Sequence, residues 1–283
     1  MLRRLLDDPR ITSVRTIARR ALPEHAKLRH VVCDLRSPEA RSHLSGVDVL
    51  WHLAFQLWRT GSVAEMESMN VGGSRNLLAA SPRRIVLASS ASVYGAWPDN
   101  PLPIDETHIP RPNRECVYAI QKLFVESLCA DVAPTAVLRI SAVLGPTMDP
   151  AIRKATLGLR RGVPAMRGVS QAVQFLDEED AARALHEAGL RDVTGPVNIG
   201  TADWMNENEI AAVAGARVIR LPRRAWLLLS EAGFRLRLLP FGVDRASLMA
   251  GPLAMSIGRA EQALRWRPTA TSKDVLSLVL SRS

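Results

Sequence analysis

Cysteine, tyrosine and early glycine are scarce in this sequence. Its 283 residues include three cysteines, Cys33, Cys116 and Cys129. An odd count at irregular spacing excludes a disulfide framework, and none of the three forms a CxxC or stands beside a histidine at metal-ligand spacing. That usage suits a reducing compartment, so a cytoplasmic location is expected. No apolar run approaches the roughly 18 residues that a membrane-spanning helix needs. The opening stretch MLRRLLDDPR has acidic residues after a short apolar patch and no cleavage pattern, so it reads as an amphipathic helix rather than a signal peptide. No glycine precedes Gly46, which leaves the first 45 residues without a glycine-rich phosphate loop.

What is present is ordinary for a soluble globular protein: 47% apolar and 23% charged residues. The net charge is +9, but the arginines are scattered in pairs such as Arg3-Arg4, Arg19-Arg20 and Arg223-Arg224. No basic run is interleaved with aromatics, so neither a nucleic-acid partner nor a membrane partner is expected. A solvated surface with some attraction for phosphorylated ligands is the simpler reading. The length suits one large α/β domain or a main domain with a smaller lobe.

Hydrophobic patterning alternates short apolar strands with helices. Strands are expected at residues 13–18, 30–33, 47–53, 84–89 and 136–140, with helices at 2–7, 38–44, 62–80 and 115–130. Such alternation implies a parallel, doubly wound sheet. Beyond residue 146 the regularity weakens. Helices are expected near 150–161, 178–189, 207–214, 223–239 and 272–281, with strands at 173–176, 196–199 and 216–221. The fold expected is a Rossmann-type doubly wound parallel sheet with a smaller C-terminal substrate lobe. Residues 1–146 would form the dinucleotide-binding core, and 147–283 the lobe with the last sheet elements.

Two segments carry chemistry. The first of these to note is Tyr118-Ala119-Ile120-Gln121-Lys122, which puts a phenol and an ammonium one turn apart on one helix face. A nearby cation favours phenolate, so the spacing predicts a phenol lowered toward working pH and able to exchange a proton with a hydroxyl or carbonyl. The second, Ser89-Ser90-Ala91-Ser92-Val93-Tyr94-Gly95, follows an apolar strand directly. Ligands of open α/β sheets bind past the carboxyl ends of strands, so Ser90 is placed to hold a reacting oxygen. The acidic run Asp177-Glu178-Glu179-Asp180 reads as a helix N-terminus rather than a pair of catalytic carboxylates.

These segments and their spacing resemble the extended short-chain dehydrogenases of the NAD-dependent epimerase/dehydratase family. Further segments match in order: Asp34-Leu35, His52-Leu53-Ala54-Phe55, Asn70 to Leu78, Leu138-Arg139 to Pro146, Phe175 to Ala184, Asn198-Ile199-Gly200 and Leu264 to Pro268. The resemblance spans nearly the whole chain. It implies Tyr118 as acid/base, Ser90 as holder of the substrate oxygen, and Lys122 lowering the tyrosine and binding the nicotinamide ribose. It also implies cofactor contacts from Asp34, Leu35, Leu53, Ala54, Phe55 and Asn70, a hydride transfer with NAD or NADP, and a small-molecule substrate such as a nucleotide sugar or another hydroxyl or ketone compound. A homodimer through helices 62–80 and 115–130 is a further implication.

The sequence departs from the family pattern in three places. The first strand and its GxxGxxG loop are absent, which the resemblance explains by a misassigned start with roughly 10–20 residues upstream, or else by a chain that binds dinucleotide poorly. Loss of that strand would leave a gap between its neighbours in the sheet. The end of the next strand carries Arg19 and Arg20 where NAD-specific members have an acid; guanidinium groups suit a 2′-phosphate and favour NADP. Ala142 stands where nucleotide-sugar enzymes often have asparagine. The apolar segment 223–239 reads as core, or as the lining of a pocket for a steroid-like or phenolic substrate. A non-catalytic NAD(P)-sensing protein and a ketone or steroid-type reductase are therefore the alternatives to a sugar epimerase or dehydratase.

Overall fold

A computed structural model describes residues 1–58, 62–239 and 241–281. A short helix α1 (Leu2–Asp7) leads into β1 (Val14–Ala18) and β2 (Leu28–Val32), and a 3₁₀ segment (Pro38–Leu44) into β3 (Val49–His52). The next helix begins as α2 (Val63–Glu67), passes through a π-helical turn (Ser68–Gly72) and ends as α3 (Gly73–Leu78). Ser62 and Glu65 cap its start reciprocally. Then come β4 (Arg84–Ser90), α4 (Val117–Val132), β5 (Thr135–Ile140), β6 (Ala142–Leu144), α5 (Pro150–Gly158) and β7 (Val163–Met166). The chain continues with β8 (Phe175–Asp177), α6 (Glu178–Leu190), β9 (Gly195–Ile199), α7 (Glu207–Ala214), β10 (Val218–Leu221), α8 (Arg223–Arg235), α9 (Val243–Ala246) and α10 (Ser272–Ser281).

The main sheet runs β3-β4-β5-β9, all parallel. Alternation along its strands feeds two helical layers. Val86, Leu138, Ile140 and Val197 face α6 and Trp266. Ile85, Leu87 and Val137 face the opposite way, onto Val71, Leu77, Val125 and Cys129. Fully burying such side chains stabilises the fold by about 1.5–3 kcal/mol each. A third core, with Leu144, Phe175, Ile210 and Leu276, holds the C-terminal lobe together. The architecture is the expected three-layer α/β arrangement.

The sheet is interrupted. β1 pairs with β2, but among the described residues neither β1 nor β3 pairs along its other edge. A cleft of about 560 Å³ separates the two, lined by Val14, Thr16, Leu50, His52, Leu5 and Leu190 among others. The gap expected between the neighbours of an absent strand is therefore present. Trp51 of β3 donates to the Leu185 carbonyl (2.9 Å) and lies so close to Gly189 that a Cβ there would overlap its ring.

Local differences from the sequence reading have physical causes. The helix expected over 223–239 ends at Arg235, because Arg237 takes a left-handed backbone (φ 60°) and Leu238 and Leu239 turn their N–H groups back onto the Gly233 carbonyl. Four of its leucines are not core: Leu228, Leu229, Leu236 and Leu238 are exposed, while Leu227 and Leu239 are partly buried. Strands β6 (Ala142–Leu144) and β7 (Val163–Met166) add to those expected from the sequence. Asp177 does cap α6, accepting from the Glu179 N–H (2.8 Å), as its sequence position indicated.

Candidate active site

Ser90 is the last residue of β4, and Tyr118 and Lys122 stand one turn apart at the start of α4. The three expected residues are brought together. Ser90 stands close enough to the Tyr118 phenol to act on its ionisation. Ser90 Oγ also accepts from the backbone N–H of Ser92 (3.2 Å) and from its hydroxyl (2.9 Å), which fixes its rotamer at the strand end. Phe55 packs edge-on against Tyr118, ring centroids 5.5 Å apart. Lys122 is buried; its ammonium donates to the Ala88 carbonyl (2.6 Å) and lies 3.8 Å from the Phe55 ring centroid.

The electrostatics differ from expectation. Burial holds the Tyr118 phenol above its ordinary value, with Arg245 and Ser90 opposing that rise. Lys122 does not lower it: its ammonium is 5.8 Å from the Tyr118 ring centroid and is committed to Ala88. The cation on Tyr118 is Arg245 of α9, whose guanidinium carbon lies 4.3 Å from the ring centroid, and which also stacks on Trp58 (5.3 Å) and donates to the Leu57 carbonyl (2.6 Å). Burial pulls Lys122 down to about 7, against the pull of Glu126. Near neutral pH it is therefore divided between ammonium and free amine.

Behind the site lies a buried polar chain that the sequence reading missed. Ser89 donates to Glu126, which pairs with Arg139 (2.8 Å); Arg139 donates to the Tyr94 hydroxyl (3.0 Å), and that hydroxyl donates to Asn198 (2.8 Å). Glu126 lies four residues beyond Lys122 on the same face of α4, a spacing that could have revealed it. Arg245 left no local signal, because it reaches Tyr118 from a distant part of the chain.

The other expected residues are distributed as follows. Asn70 is fully occupied: it accepts from Gln56 N (2.6 Å) and donates to the Gln56 carbonyl (3.1 Å) and Gln121 Oε1 (2.8 Å), pinning the loop after β3. His52 is buried, held well below its usual range at about 3 by burial, and bonded to Ser74 (2.7 Å). Leu53 and Ala54 are exposed on the rim of the cleft between β1 and β3, with Phe55 half-buried beside them. Asp34 is bound at both oxygens by Arg36, which holds its carboxyl well down, to about 2. Leu35 packs on the core. Arg19 and Arg20 are exposed past β1, and Arg19 also acts on Asp34. Ala142 is exposed on β6.

The fit to a nicotinamide dinucleotide is therefore unequal. Around Tyr118, a neighbouring serine, a buried lysine and the exposed rim of Leu53 and Ala54 suit the nicotinamide end. At the diphosphate end the described residues give no cradle: α1 spans six residues, has no side-chain cap, and is followed by no glycine before Gly46.

The parallel, helix-flanked sheet with a polar site at the carboxyl end of β4 defines a Rossmann-type α/β protein. A sequence model of the NAD dependent epimerase/dehydratase family matches residues 1–200, and the chain belongs to that family. Uncharacterized proteins of Mycobacterium tuberculosis (strain ATCC 25618 / H37Rv) and Mycobacterium bovis are each 29% identical to it over 208 residues, covering 68% of this chain and 54% of theirs. The chain thus spans about half the length of these curated relatives. Among solved structures, a mutant UDP-glucuronic acid 4-epimerase from Bacillus cereus, in complex with a fluorinated UDP-sugar and NAD, is similar at a TM-score of 0.72 and 18% identity, covering 99% of this chain and 93% of that one. A UDP-glucose 4-epimerase from Thermotoga maritima with UDP-glucose gives 0.71 and 18%, covering 95% and 90%. At these identities the likeness speaks for the fold.

Proposed function

We propose that this protein is a nicotinamide-dependent epimerase, dehydratase or dehydrogenase acting at a hydroxyl- or carbonyl-bearing carbon of a nucleotide sugar. The observation that carries the reading is the placement of Ser90 beside Tyr118 at the carboxyl end of β4, with Lys122 one helical turn on and bound to the Ala88 carbonyl. The family and the UDP-sugars bound by proteins of like fold support the substrate class. A bound nicotinamide would supply the hydride acceptor or donor. Ser90 orients the substrate oxygen, and Tyr118 holds or takes its proton. Because the resting phenol is protonated at neutral pH, proton donation to a carbonyl is its ready role, and abstraction from a hydroxyl gains with rising pH. Residues 1–146 would carry the dinucleotide side of the site and 147–283 the substrate side.

At the ribose end, Arg36 already pairs the Asp34 carboxylate and Arg19 also acts on it, which supports NADP over NAD. Exposed Ile120, Phe124 and Val132 on α4 support a homodimer through that helix. The experiment is turnover of a UDP-hexose and UDP-hexuronate panel with each cofactor. Tyr118→Phe should lower turnover by roughly 10²–10⁴ while nicotinamide fluorescence still reports cofactor binding. Wild-type turnover that survives this change would overturn the role of Tyr118. Cofactor binding without turnover on any member of the panel would favour the sensing alternative, which Arg245 over the Tyr118 ring also supports.

A further inference from the structure

Helix α8 and the turn after it are apolar on two faces, and only one of them is covered. Its inner face is packed: Trp226 donates to the Ala246 carbonyl of α9 (3.0 Å), and Ser230 is fully buried. The outer face carries Leu228, Leu229, Leu236 and Leu238, at 72, 57, 70 and 69% exposure. Single exposed leucines are commonplace, but four in so short a stretch form a patch. Arginines border it. Residues 223–239 contain four, Arg223, Arg224, Arg235 and Arg237, against one glutamate, Glu231. Arg223 and Arg235 have acidic neighbours, Glu115 and Glu231, while Arg224 and Arg237 have no ion-pair partner among the described residues.

We propose that this face docks on an anionic lipid surface, the leucines entering the headgroup–acyl boundary and the arginines engaging lipid phosphates. Arginine-bordered leucines on a surface helix fit that environment, where the long arginine stems lie along apolar material and their heads remain at the charged layer. Charge complementarity selects this occupant. A second copy meeting the same patch across a two-fold axis would bring the uncompensated Arg224 and Arg237 of both copies together. The chain's net charge of +9 adds long-range attraction to a negative surface. The docking face lies one helix from the site, since α9, which receives the Trp226 bond, also carries the Arg245 that covers Tyr118. The inference stands apart from the proposed reaction and needs no cofactor to test.

The test is co-sedimentation of the full chain with vesicles of phosphatidylcholine alone, or of phosphatidylcholine with phosphatidylglycerol. Binding to the mixed vesicles only, reversed by added salt, is expected. Combined Leu228→Ser, Leu229→Ser and Leu238→Ser should weaken it on the order of tenfold or more. Arg224→Glu and Arg237→Glu should each weaken it by about fivefold or more, and the same reversal at exposed Arg29 on β2 by less. A thermal melt of each variant checks the fold; should the leucine variant unfold, the arginine reversals carry the test. Absence of binding to mixed vesicles, or binding indifferent to these changes, overturns the proposal. Self-association without lipid that the leucine variant abolishes also overturns it, in favour of a second copy.

Discussion

Tyr94 and Tyr118 are the two tyrosines of this chain, and they occupy parallel surroundings with different outcomes. Both are buried, and both lie beneath a guanidinium: Arg139 is 4.8 Å from the Tyr94 ring centroid and Arg245 is 4.3 Å from that of Tyr118. Burial raises both phenols. What separates them is the use of the hydroxyl. Tyr94 donates to Asn198 and accepts from Arg139, so its oxygen is saturated by protein. Tyr118 has Ser90, itself at a strand end where ligands of such sheets bind. A buried phenol locked by an arginine and an amide is architecture; one with a single serine beside it retains capacity for a substrate oxygen.

Three experiments press on that contrast. The largest effect is expected behind Tyr94. Arg139→Leu strands the buried Glu126 carboxylate and should destabilise the fold by about 3–5 kcal/mol in denaturant unfolding. A loss under about 1 kcal/mol would show that the network is not structural. Next, the two hydroxyl deletions should diverge. Tyr94→Phe leaves Asn198 and Arg139 short of a partner and should cost about 1–3 kcal/mol, whereas Tyr118→Phe should cost about 1 kcal/mol or less. Equal costs would erase the distinction between the two sites. The smallest effect is electrostatic. In a Tyr94→Phe background, Tyr118 is the sole tyrosine, and ultraviolet titration reads its ionisation directly. Arg245→Gln should move that ionisation to higher pH, because it removes the cation over the ring; Lys122→Met should move it less. A larger response to Lys122 would reverse the assignment of the controlling cation.

The sheet and the Ser90, Tyr118 and Lys122 cluster were legible because they rest on local patterns: continuous apolar runs for β4 and β5, and an i, i+4 spacing on α4. Caps were legible too, since Asp177 acts on the residues directly after it. The direction of the Tyr118 shift was not, because it depends on how deeply the ring is buried and on a guanidinium some 130 positions along the chain. The fate of the leucines in α8 was equally hidden. Composition makes that helix look like core, and only the packing shows that no described residue covers Leu228, Leu229, Leu236 and Leu238. Asn70 was read as a cofactor contact from its place in a motif; its three hydrogen bonds to Gln56 and Gln121 are tertiary facts.

The interrupted sheet has a consequence for how the molecule comes apart. β4 and β5 are bonded on both sides, so their amides open only with the whole domain. β1 and β2 grip each other and reach the remainder through isolated ties, among them Arg15 to the Ser45 carbonyl and Lys27 to the Asp8 carbonyl. That pair is a separate cooperative unit, a foldon of low local stability. Amide protons of Val14–Ala18 will exchange with solvent well before those of Thr135–Ile140, and proteolytic nicking will begin on the same side of the cleft.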